Sequence, residues 1–207
     1  MSSSELASFA KDIYTQSAKY QGWLTSRGAV PVEGATTTLT LRANSTQPVR
    51  IIRMSAIKEC AQPLNGTYFQ PPAEGGAEPN IMLGVDLDTS DSIFQEMYHN
   101  ESGLLPSGPS YFDQNTVMLN PGETQTFTIG AFTKLYSCSF KVRIYVVGSG
   151  PAVYQDIDCA GTSFKITAPA RTKNPERPLS GYQTAYGRQG DYTAPEWIRL
   201  DPNSVGK

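Results

Sequence analysis

Residues 123–158 read ETQTFTIGAFTKLYSCSFKVRIYVVGSGPAVYQDID, and the alternation in this stretch decides the fold class. Apolar side chains recur at every second position: Phe127, Ile129 and Ala131 in the first run, then Cys138, Phe140, Val142 and Ile144 in the second. A period of two belongs to a strand with one buried face. Gly148-Ser149-Gly150 supplies a reversal, and counting away from it sets Ile144 against Val153, Val142 against Gln155, Phe140 against Ile157 and Cys138 against Cys159. The stretch predicts a hairpin stapled by a Cys138–Cys159 disulfide, since opposed positions in a two-stranded ribbon meet the distance limits of the bond. Closing that loop stabilises by roughly 3 kcal/mol in the chain-entropy treatment. Cys60 is then left over, or competes with Cys159 for Cys138.

The same signals continue on both sides of this hairpin, from about Thr36 to Ala168. Thr37, Leu39, Leu41 and Ala43 alternate with polar neighbours, and Asn44–Pro48 turns the chain into a second strand over Val49–Ile57. Ile51, Ile52 and Met54 place apolar groups on both faces of that strand, which predicts a central or doubly covered position. Ile81, Leu83, Val85 and Leu87 share one face of a further strand, with Asp86 and Asp88 on the other. Thr116–Leu119, the turn Asn120-Pro121-Gly122-Glu123 and Thr124–Phe132 read as a hairpin-like pair. Phe164 and Ile166 mark a last short strand. The expected fold is all-β, an antiparallel β-sandwich of about eight strands. Two long loops interrupt it, at Gln70–Pro79 and at His99–Gln114.

An arm is expected at each end of this body, giving an organisation of 1–30, 31–169 and 170–207. In the first arm, Ser2 and Glu5 have capping-box spacing, and Leu6, Phe9, Ile13 and Tyr20 recur near a helical period until Gly22. An N-terminal amphipathic helix is predicted there, packed on its own body or docked on a partner. The last arm is rich in Pro, Gly, Arg and Gln and shows no strand or helix period, so it is expected to be an extended C-terminal tail. Tyr182, Tyr186, Tyr192 and Trp197 are spaced along it as anchors, either along its own sandwich or on a neighbouring subunit. In the second loop Leu104, Leu105, Tyr111 and Phe112 must fold back onto the body or meet a partner.

Composition and chemistry narrow the function. A net charge of -2 over 207 residues gives no electrostatic footprint for nucleic acid or for an anionic membrane surface. No apolar run approaches the ~20 residues of a membrane helix, so direct membrane insertion is not expected within this chain. The start of the chain lacks the pattern of a signal peptide, so a signal or anchor, if one exists, is expected outside it. The only histidine, His99, has no nucleophile signature near it. Asp86, Asp88 and Asp91 are the best oxygen ligands for a cation such as calcium, although they lack the spacing and glycine of a calcium loop. No cofactor and no enzymatic activity are expected.

Four segments carry a resemblance: Thr38-Leu-Thr-Leu-Arg42, Pro48-Val-Arg-Ile-Ile52, Leu119-Asn-Pro-Gly-Glu123 ahead of Phe127, and Asp158-Cys-Ala-Gly-Thr-Ser-Phe164. Over roughly residues 35–168 the chain resembles the extracytoplasmic, immunoglobulin-like β-sandwich domains of small membrane-anchored proteins of Gram-positive bacteria. The resemblance implies an extracellular, surface-exposed domain with no catalytic residues to carry over. Two functions are therefore expected. The first is protein–protein interaction through the long loops of an extracytoplasmic sandwich. The second is a structural subunit of a virion or other assembly, a homo-oligomer whose arms dock on neighbouring subunits.

Overall fold

The computed structural model describes residues 4, 18–70, 81–100, 103–172, 174, 176–189 and 196–204. Among them the chain is mostly β. The strands in chain order are β1 (Gly34–Arg42), β2 (Val49–Ala61), β3 (Thr67–Phe69), β4 (Ile81–Asp86), β5 (Gln95–Asn100), β6 (Gly103–Ser110) and β7 (Val117–Leu119). They continue with β8 (Thr124–Phe132), β9 (Ser137–Val147), β10 (Val153–Ile157), β11 (Phe164–Thr167), β12 (Thr184–Gln189) and β13 (Glu196–Leu200). Two short helices, α1 (Ala18–Ser26) and α2 (Tyr111–Gln114), and a 3-10 turn at Pro178–Gly181 complete the described elements. The residues fall into two compact units, one within Pro31–Gln62 and Glu78–Ala168, the other within Met1–Val30, Pro63–Ala77 and Pro169–Lys207.

The larger unit holds two five-stranded sheets. The first has the order β1-β8-β4-β5-β6, and the second has β10-β9-β2-β7 with β11 also paired to β9. Alternation builds both. Phe127, Ile129 and Ala131 of β8 are buried, as are Cys138, Phe140, Val142 and Ile144 of β9, while Ser139, Lys141, Arg143 and Tyr145 between them are partly exposed. Leu83, Val85 and Leu87 are buried as their spacing predicts. These side chains join Ile51, Met54, Phe94 and Ile166 in one core cluster drawn from both sheets. Each Val, Leu, Ile, Phe or Met among them contributes about 1.5–3 kcal/mol when removed from water.

Several expectations change. The first sheet is mixed, because β4 runs parallel to β8 with Leu83 beside Ile129 and Val85 beside Ala131. The segment around Pro121-Gly122 does not close a hairpin. β7 pairs with β2 in the second sheet and β8 pairs with β1 in the first, so the turn carries the chain from one sheet to the other. Gly122 has φ 79°, as the third position of a type II turn after proline requires. Ala43 holds the turn from β1's end by accepting from Gly122 N–H at 2.9 Å and donating to Glu123 O at 3.0 Å. Most of His99–Gln114 is not a loop but strand β6 and helix α2. Gln70 apart, the loop Gln70–Pro79 lies outside the described residues, as do Leu6, Phe9 and Ile13 of the first arm.

The disulfide is Cys60–Cys138, and Cys159 is a free, exposed thiol. The expected Cys138–Cys159 pairing fails on register. Pro151 and Ala152 join the turn, so Ile144 faces Gln155 and Val142 faces Ile157, two residues later than the count from Gly148-Ser149-Gly150. β10 then ends, and Cys159 opens a tight reversal in which Ala160 (φ 50°) and Gly161 (φ 88°) both adopt left-handed backbone. Beyond it, β11 takes over β9 and sets Ile166 opposite Cys138. On the other side of β9, Cys60 is Cys138's direct partner, with Cα atoms 4.1 Å apart.

In the smaller unit β12 lies between β13, antiparallel, and β3, parallel. The tail is thus not simply extended. Phe69 of β3 stacks on Tyr186 at 5.2 Å and meets Trp197 and Trp23 edge-on at 5.3 and 6.0 Å, and Tyr68 packs on Tyr182 at 4.9 Å. The helix α1 runs through Gly22. It stops at Gly28 (φ 66°), where Gly28 N–H reaches Thr25 O and Ala29 N–H reaches Leu24 O, both at 3.0 Å, the paired bonds of a Schellman end.

Candidate interaction surface

The second sheet turns one face to the core and the other away from it, and the away-facing residues line up in rows across its strands. Met118, Arg50 and Val147 form one row, and Arg53, Tyr145 and Tyr154 the next. Then follow Ser55, Arg143 and Asp156, and after them Ile57 and Lys141. Ser55 is buried, where Ile93 bridges to it. Three of the others leave large apolar or aromatic side chains in solvent, Met118 at 59% exposed, Tyr154 at 59% and Ile57 at 44%, while Val147, Tyr145, Arg143 and Lys141 are partly exposed.

A bulge in β2 makes the first two rows possible. Arg50 and Arg53 are three residues apart, and strict alternation sends such residues to opposite faces. Ile52 is extra in the ladder: Ile51 pairs with Val146 and Arg53 with Tyr145. The added residue resets the alternation, so Ile51 and Met54 both enter the core while Arg50 and Arg53 both face away. This is also why Ile51, Ile52 and Met54 suggested two apolar faces. β2 is central, but its alternation breaks once rather than covering both sides.

Cations and rings interleave on this face. The Arg53 guanidinium lies 5.8 Å from the Tyr145 ring centre and that of Arg143 lies 4.1 Å from Tyr154, while the two rings are 6.0 Å apart. Arg143 grips Asp156 with two bonds, Nε to Oδ1 at 2.6 Å and Nη2 to Oδ2 at 2.8 Å. That hydrogen bond raises the Arg143 pKa and holds the Asp156 carboxyl below the usual carboxylate range. Lys141 Nζ donates to Asp158 Oδ2 at 2.9 Å and, with the Gly161 N–H, lowers the Asp158 pKa likewise. Arg50 and Arg53 have no carboxylate partner among the described residues.

A second feature opens beside β1, the edge strand of the first sheet. A cleft of about 230 Å³ is lined by Thr37, Leu39, Ile129, Ile157, Phe164 and the free Cys159. Among the described residues β1 pairs with β8 along its whole length and with no strand on its other side. The other outer strands are shorter or interrupted: β6 contains Pro106 and Pro109, β7 has three residues and β10 five.

The residues singled out from sequence are scattered. Leu104 and Leu105 are half-buried on β6, Tyr111 is half-buried with its ring edge-on to Phe112 at 5.2 Å, and Phe112 belongs to the core. Burial pushes the Tyr111 hydroxyl pKa up. Tyr182, Tyr186 and Trp197 pack within the smaller unit, and Tyr192 lies outside the described residues.

The aspartates near β4 already have partners. Asp88 accepts from Thr133 Oγ1 and Lys134 N–H at 2.7 Å and from Leu135 N–H at 3.3 Å, which ties down the β8–β9 turn, and Asp86 Oδ1 accepts Asp88 N–H at 2.8 Å. Lys58 Nζ donates to Leu87 O at 2.6 Å and to Thr89 O beside them. Burial lowers the Lys58 pKa, and the charges of Asp86 and Asp88 oppose that shift. Among the described residues Asp91 meets only Ser90, whose Oγ donates to Asp91 Oδ1 at 3.4 Å. No group of three or more His, Cys, Asp or Glu is placed to hold a metal ion among the described residues, and no helix among them is long and apolar enough to cross a membrane.

Arg50, Arg53, Tyr145 and Tyr154 were not singled out from sequence. The usable signal was the odd spacing of Ile51 and Met54, which marks the bulge, and two tyrosines at positions where alternation points away from the core. Comparison with protein families, with curated proteins and with solved structures finds no match to this chain.

Proposed function

We propose that this chain is a non-enzymatic, extracytoplasmic recognition domain, a β-sandwich that binds another protein through the away-facing side of its β10-β9-β2-β7 sheet. The observation that carries the proposal is the row of Arg53, Tyr145 and Tyr154 beside exposed Met118. Arginine, tyrosine and methionine are the residues enriched where proteins meet, and rigid strands hold them with little entropy to lose on binding. The sandwich reading is supported by the single core that both sheets share, and the extracytoplasmic reading by the Cys60–Cys138 bond, which persists in oxidising compartments. The long loops expected to carry recognition give way to the sheet face, because much of the second loop is strand and helix.

The test is capture from an extract of the source organism by the wild-type chain and by Tyr154→Ala and Met118→Ala variants. A protein retained by the wild type and lost from both variants is expected. Equal retention by all three overturns the proposal.

A second reading, a subunit of a larger assembly, is favoured by β1. A nine-residue edge without proline, with no strand beyond it among the described residues and bordered by an apolar cleft, is suited to accept a strand from a second copy.

A further inference from the structure

We infer that the partner segment on this face is acidic, placing carboxylates on Arg50 and Arg53 and apolar or aromatic side chains over Tyr145 and Tyr154. The inference rests on the recognition reading above and adds the chemistry of what is recognised. Five cations lie on the face among the described residues: exposed Lys165 shares the Ser139 row with Glu59, and the other four divide into two pairs. Arg143 and Lys141 are neutralised in place by Asp156 and Asp158. Arg50 and Arg53 have no such counter-charge among the described residues. The chain as a whole carries a net charge of -2, so this pair runs against the overall sign.

The bulge at Ile52 gives the pair its arrangement. Without the extra residue one of the two arginines would enter the core side of β2, and with it both stand on neighbouring rows of one surface. A guanidinium lying near an aromatic ring, as Arg53 does by Tyr145, keeps its N–H edge available for a carboxylate and presents two parallel donors to it. The neighbouring Tyr145 and Tyr154 rings supply the contact area that two exposed ion pairs lack. Two uncompensated charges amid neutral rows suit a short acidic segment better than the long run of phosphates that nucleic acid presents.

The full chain is titrated with a short synthetic peptide alternating glutamate and phenylalanine, with its lysine–phenylalanine counterpart, with single-stranded DNA and with phosphatidylglycerol vesicles. The glutamate peptide is expected to bind best and to weaken as salt rises. Each of Arg50→Gln and Arg53→Gln is expected to weaken it by about threefold and the double variant by about tenfold, as for exposed charge pairs. The double Arg50→Glu, Arg53→Glu variant is expected to prefer the lysine peptide, a reversal that a misfolded protein cannot produce. Equal binding of both peptides, glutamate-peptide binding untouched by the double Gln variant, or preference for DNA or vesicles overturns the inference. If Tyr154→Ala loses the captured protein while the double Gln variant keeps it, the face remains the binding site and its acidic specificity falls. If neither variant loses it, both fall.

Discussion

Cys138 is bonded to Cys60 on the adjacent strand, and the thiol of Cys159 is left exposed. An alkylating reagent applied to the native protein is therefore expected to modify Cys159 alone, with Cys60 and Cys138 reacting only after reduction, as peptide mass mapping reads directly. The bond spans a sequence separation of 78 residues, and the chain-entropy relation gives about 4.5 kcal/mol for a loop of that length. Cys60→Ala is expected to lower unfolding stability by about that much or somewhat less, and Cys159→Ala to leave it nearly unchanged. The reverse ranking in denaturant titrations would restore the Cys138–Cys159 pairing. What the sequence carried was that Cys138 sits on the core face of a strand. It did not carry which neighbour lies beside it, because two residues added to a glycine turn move every partner while leaving the alternation intact.

Elements whose evidence is periodic were legible, and those defined by a contact elsewhere were not. β4, β8 and β9 bury the side chains their alternation names. The helix α1 was expected to stop at Gly22 and stops at Gly28, since a glycine inside a helix costs only about 1 kcal/mol while the left-handed end position favours one. β12 and β13 have weak local patterns and are held by Tyr68 and Phe69, distant in sequence.

Gly84 shows how such a contact is written in a single residue. It pairs with Gly130 across the parallel β4–β8 ladder, and a Cβ built at Gly84 would lie 2.8 Å from Met97 Cγ and 2.9 Å from Pro106 Cβ. At Gly130 it would lie 2.7 Å from Met97 Sδ. The two glycines form a trough on the side of the first sheet away from the core, and Met97 of β5, 6% exposed, fills it. Gly84→Val is expected to lower stability by about 1–3 kcal/mol through overpacking, with faster amide exchange concentrated in β5 and β6. Adding Met97→Ala to the Gly84→Val variant is expected to recover part of the loss, because the methionine is the group displaced. No recovery in thermal unfolding would mean that the β5–β6 hairpin does not depend on this trough.

The architecture of the larger unit follows from how its edges are finished. Prolines in β6, the three-residue length of β7 and the reversal after the five-residue β10 each limit further pairing, whereas β1 has none of these devices. Its residues facing the cleft include Thr37, which pairs with core-facing Ile129 of β8, so a charge introduced there would stand where an added strand must place its apolar side chains. Thr37 is exposed, and Thr37→Lys should change stability by no more than about 0.5 kcal/mol. If copies of the chain join edge to edge through β1, sedimentation of the wild type will show association that grows with concentration, and Thr37→Lys will remain monomeric over the same range with an unchanged melting curve. Because Arg50, Arg53, Tyr145 and Tyr154 belong to the other sheet, the same variant is expected to retain whatever protein the wild type captures. A Thr37→Lys protein that still associates removes β1 from the interface, and one that loses capture instead would transfer the recognition site from the sheet face to the edge.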